Sequence, residues 1–107
     1  MKQKVNILGT EYMVKEKKLK DADCDGYCDC TNHTIVIRSD NFNNVGNFRN
    51  LQNKQLRHEI IHAFLSESGL QSNFEHSQQF GHEETIVDWF AIQFPKIFKV
   101  FQELDIM

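Results

Sequence analysis

The chain has 107 residues, 40% of them hydrophobic and 25% charged, with a formal net charge of -3. That length suits one domain, residues 1–107, and the balance of apolar and charged residues speaks against a disordered chain. With no basic run longer than KEKKLK at residues 15–20, the sequence offers no electrostatic footprint for a nucleic-acid backbone.

The first residues, MKQKVNILGTEY, lack the apolar core of a signal peptide, and no window approaches the roughly 18 apolar residues of a membrane span. The expectation is a cytoplasmic protein with no membrane partner. Cys24, Cys28 and Cys30 are an odd number of thiols crowded into seven positions, which suits reduced cysteines better than a disulfide framework.

In chain order, KVNILGTEYMVK at residues 4–15 holds two alternating apolar runs around Gly9-Thr10 and predicts a β-hairpin with its turn there. LKDADCDGYCDC reads as a loop that becomes a strand near Tyr27, and TNHT as a turn. TIVIR at residues 34–38 is β-branched and apolar almost throughout, which marks a strand, flanked on one side by the Cys28–Cys30 segment. The Asn-rich SDNFNNVGNFRN is irregular and able to cap a helix. From about Asn50 to Ser68 neither Gly nor Pro intervenes, and Leu56, Ile60, Ala63 and Phe64 keep a helical spacing that Gly69 ends. A polar loop, LQSNFEHSQQFG, leads to a second helical pattern over residues 82–94, which Pro95 stops or kinks. KIFKVFQEL then restarts as a short helix with Ile97, Phe98, Phe101 and Leu104 as its apolar stripe. That stripe is read as core; if exposed, it would point to a dimer.

The chemistry concentrates in RHEIIHAF, residues 57–64. Residues four apart project from one side of a helix, so His58 and His62 can offer two imidazoles to one ion. Glu59 is offset from them, which keeps its carboxylate out of the first shell yet near a coordinated water, the arrangement of the H-E-x-x-H zinc peptidase motif. With five His and eight Glu in the chain, such a match arises by chance in about one or two of a hundred chains of this composition.

A catalytic zinc takes three protein ligands, and GHEETIVDWFAIQFP at residues 81–95 offers His82, Glu83 and Glu84 as the third. Glu84 and Asp88 are four apart, so one face would present a ligand and, a turn later, a carboxylate to orient a ligating histidine; that pairing favours Glu84. An acidic helix start is also favoured by the helix dipole alone.

An H-E-x-x-H helix followed some twenty residues later by Glu-x-x-x-Asp resembles the gluzincin metallopeptidases, and most closely the ImmA/IrrE-type metallopeptidases of phages and mobile elements. ETIVDWFAIQFP matches their second motif at Glu84, Asp88, Phe90, Ala91 and Pro95, with Val87 where Ala is usual, and DGYCDCTNHTIVI resembles the edge hairpin of small zincins. The likeness spans about residues 25–95. It implies Glu84 as third ligand, Asp88 as support for His58 and a phage or prophage origin; the chain departs from the family in lacking the helix that commonly precedes the sheet and any sensor or DNA-binding domain, so it looks like a minimal catalytic unit.

Other residues carry weaker signals. Cys24, Cys28, Cys30 and His33 could hold a structural zinc, but C-x3-C-x-C is not the paired-knuckle spacing; Cys28 and Cys30 read better as small hydrophobes on one strand face. His76 and Tyr27 are candidate donors to an oxyanion. The expectation is therefore an α+β domain, a small, mainly antiparallel sheet on two zinc-bearing helices with a short C-terminal helix. Zn2+ would be held by His58, His62 and Glu84, with Glu59 as general base and a peptide or protein substrate, in a monomer or weak dimer. The alternative is a catalytically silent zinc-binding interaction or anti-defence module.

Overall fold

The computed structural model describes residues 2–70 and 84–107. Four strands, β1 (Lys2–Ile7), β2 (Thr10–Lys17), β3 (Gly26–Asp29) and β4 (Thr34–Arg38), form one sheet in the order β1-β2-β4-β3. Among the described residues two longer helices follow, α1 (Phe48–Glu67) and α2 (Glu84–Leu104). The architecture is α+β, as the sequence implies. The sheet is mixed: β1–β2 and β3–β4 are antiparallel, whereas β2 and β4 run parallel.

The hairpin turn falls one residue before its expected place. Ile7 pairs with Thr10, leaving Leu8 and Gly9 as the two loop residues, at φ 52° and 95°. Two successive positive φ values suit the twist of a tight hairpin, and Gly9 takes the second at no steric cost, while Thr10 joins the strand as a β-branched residue should.

The parallel pair follows from the crossover of residues 18–25, which leave the end of β2 and pass the end of β4 to start β3 on its far side. Arg38, the last residue of β4 and 2% exposed, holds that crossover. Its Nε donates to the Cys24 carbonyl (3.1 Å) and its Nη1 to the Leu19 carbonyl (3.0 Å). Nη2 donates to the carbonyls of Asp21 and Cys24, and the Asp40 carboxylate lies 3.1 Å from Nη1. A guanidinium can be buried so thoroughly because all its donors find acceptors in a fork geometry.

One face of the sheet meets the helices. Val5 and Ile7 from β1, Tyr12 and Val14 from β2, and Ile35 and Ile37 from β4 pack on Leu56, Ile60, Ala63 and Phe64 of α1. Trp89, Ile97 and Val100 of α2 join the same core. α1 begins at Asn47, whose side chain accepts from the Asn50 N–H, and stops at Gly69, as expected from the sequence. Gln52 of α1 is buried and donates to Glu16 and to the Arg38 carbonyl, both at 2.9 Å.

α2 corrects the expectation of a break and a separate short helix, since it runs unbroken through Pro95. Trp89 on one side of the proline and Ile97 and Val100 on the other are all buried against one core, while Pro95 itself is exposed. Shared packing thus outweighs the roughly 3 kcal/mol by which proline disfavours a helix interior. Phe101 and Leu104 also pack on the core beside Ile97, so three of the four residues of the expected stripe face inward, while Phe98 is half-buried outside that cluster. No described helix is long and apolar enough to cross a membrane.

Candidate metal centre

His58 and His62 project from the exposed side of α1, with Nε2 atoms 3.1 Å apart and rings edge to face at 71°. Two imidazoles on one tetrahedral zinc, each at about 2.0–2.1 Å, have nitrogens about 3.3 Å apart, so the pair already stands within a few tenths of an ångström of what the ion requires. Glu59 is only 4% exposed, yet one carboxylate oxygen lies within 4.8 Å of both imidazole donors. Among the described residues no other group of three or more His, Cys, Asp or Glu gathers this closely. Two exposed imidazoles and a buried carboxylate fit a zinc with a proton acceptor beside it.

The burial of Glu59 is partnered. Gln55, one turn earlier on α1, donates its Nε2–H to Glu59 Oε2. Such a donor is what an otherwise desolvated carboxylate needs.

The motif opens on a cleft of about 480 Å³, lined on one side by Gln55, His58, Glu59 and His62 and on the other by residues 23–28 and Cys30. β3 forms that second wall because Gly26 admits α1 closely: a Cβ there would lie 2.7 Å from the Val36 carbonyl and 3.1 Å from Gln55 Cγ. β3 ends the sheet order, so its outer edge borders the cleft as an unpaired strand among the described residues.

Cys28 and Cys30 stand on this wall with sulfurs 3.5 Å apart, and Cys28 packs against the core. Burial, and then the hydrogen bond to Cys30, push the Cys28 thiol up in pKa. It stays protonated at neutral pH, which disfavours a cysteine nucleophile working with a nearby histidine.

The expected ligands meet different fates. His58, His62 and Glu59 are brought together. Glu84 is the first residue of α2 and Asp88 lies one turn on, but their side chains fall outside the described residues, as do His82, Glu83 and His76 altogether. Tyr27 lines the cleft at 37% exposure. His33 lies against the Tyr12 ring at 5.2 Å and joins no three-residue metal group with the cysteines.

Three contributors escape the sequence reading. Gln55 carries a signal, its i, i+4 spacing to Glu59. Gly26 and Arg38 carry almost none, because a close approach and a charged strand end acquire meaning only from the partner elements. Comparison of the chain with protein-family models, curated proteins and solved structures returns no match.

Proposed function

We propose that this chain is a zinc-dependent metallopeptidase that hydrolyses peptide bonds of an intracellular protein substrate, with a zincin-like packing of two helices on a sheet that resembles the ImmA/IrrE-type enzymes. The observation that carries the reading is the pair of imidazole nitrogens 3.1 Å apart with the buried Glu59 carboxylate beside them, at the floor of an open cleft.

In this reading His58, His62 and Glu84 hold the ion, and Asp88 keeps His58 in the ligating tautomer. When bound, zinc supplies Lewis acidity, which polarises a carbonyl and lowers the pKa of water toward about 7. Glu59 takes the proton from the attacking water and returns it to the leaving amine, while Gln55 holds the other carboxylate oxygen and so orients the group. The outer edge of β3, unpaired among the described residues, aligns an extended peptide by main-chain hydrogen bonds, with its backbone along the cleft rather than across it.

The test is elemental analysis of the purified chain beside two variants. His62→Ala should carry one equivalent of zinc less than the parent, whereas Glu59→Gln should keep its zinc and lose about 10²–10⁴-fold in peptide hydrolysis. Equal metal in parent and His62→Ala would remove the assignment. Zinc bound with no hydrolysis of any peptide library would favour the binding module instead.

A further inference from the structure

The cleft has two walls of unlike chemistry. On α1 stand two imidazoles; facing them, on and just beyond β3, stand two thiols. The two walls come closest where Gly26 meets Gln55. All four side chains line the one cleft.

We propose that Cys28 and Cys30 form a second metal site in this cleft, a bidentate thiolate pair for a thiophilic d10 ion, separate from the imidazole pair. The sulfurs lie 3.5 Å apart. Two thiolates on one tetrahedral zinc, each at about 2.3 Å, would be about 3.8 Å apart, so the pair needs to open by only a few tenths of an ångström. The turn beyond β3 fixes that spacing. Asp29, between the two cysteines, accepts from the Thr31 and Asn32 N–H groups (3.2 and 3.1 Å), from the Thr31 hydroxyl (2.8 Å) and from Asn32 Nδ2 (2.9 Å). Cys30 thereby belongs to the turn and not to the strand, with its sulfur 3.5 Å from that of Cys28.

Binding forms two metal–sulfur bonds and releases two thiol protons to solvent; no electron is transferred. Water from the open cleft completes the coordination. Sulfur donors select soft ions, so this wall and the imidazole wall differ in preference, and an ion held on the thiols stands in the space along β3 that a peptide would need.

The probe is Cd2+, titrated into the reduced full-length chain while the ultraviolet sulfur-to-cadmium charge-transfer band is followed. The parent should develop the band to one equivalent. Cys28→Ser and Cys30→Ser should each reduce it to background, and Cys24→Ser and His62→Ala should leave it intact. Cys30 lies beyond the strand, so Cys30→Ser keeps the test valid if Cys28→Ser fails to fold. Absence of the band in the parent, or its survival in Cys30→Ser, overturns the proposal. A band lost equally in His62→Ala overturns the separateness of the two sites. None of these outcomes depends on peptide hydrolysis.

Discussion

Glu59 has two demands on it that pull apart, because a general base must meet water and yet its carboxylate is 4% exposed. Gln55 reconciles them by satisfying one carboxylate oxygen inside the seam. Gln55→Ala should leave that oxygen without its donor and lower stability by about 1–3 kcal/mol, measured as a reduced urea midpoint at pH 7. A neutral result would mean that water replaces the amide at no loss. Arg38→Lys should likewise destabilise, although it conserves charge, because an ammonium cannot span the carbonyls of Leu19, Asp21 and Cys24 together. At this scale the sequence discloses chemistry better than environment. The four-residue spacing of His58 and His62 dictates their meeting on any helix, whereas the burial of Glu59 depends on β3 approaching through Gly26, which no local pattern encodes.

At the scale of elements, two carboxylates anchor turns and helix ends and make the fold sensitive to acid. Hydrogen bonds from the Asn32 side chain, then from Thr31, hold Asp29 down at about 2. The Thr10 hydroxyl at 2.7 Å and the Tyr12 hydroxyl at 2.8 Å hold Glu67 below the usual carboxylate range and tie the end of α1 to β2. Both folded values lie below the unfolded ones. The stabilisation is therefore full above the unfolded values, near pH 4, and is lost as pH falls below them, for Asp29 toward about 2. Urea midpoints measured across that window should fall less steeply in Asp29→Asn and Glu67→Gln than in the parent; parallel curves would show that other groups govern acid unfolding. The strand TIVIR and the α1 pattern were legible because β-branching and helical spacing act locally. The passage of α2 through Pro95 was not, since it rests on Trp89, Ile97 and Val100 reaching one distant core. Pro95 is exposed, so Pro95→Ala should stabilise the chain by part of the roughly 3 kcal/mol separating the two residues in a helix. A destabilised variant would reveal packing by the proline ring.

For the molecule as a whole, the relation between metal and folding follows from where the donors lie. The core joins all three layers of contact, from Val5 and Tyr12 on the sheet to Phe64 on α1 and Val100 on α2, without using either imidazole. His58 and His62 lie on a single helix and are exposed, so of the proposed ligands only Glu84, at the start of α2, would link the ion to a second element. The ion's contribution to folding is then its binding free energy by mass action, about 2.7 kcal/mol when free zinc is a hundredfold above Kd. This differs from a zinc finger, whose chain is unfolded without metal. Chelation should accordingly leave the far-ultraviolet circular dichroism of sheet and helices in place while lowering the thermal midpoint, and zinc should restore that midpoint in the parent but not in His58→Ala. If chelation instead abolished the secondary structure, the ion would be required for folding as well as for chemistry. A fourth ligand from the chain would then favour the structural reading and a position still open to water the catalytic one, because open coordination, not the need for metal, separates the two.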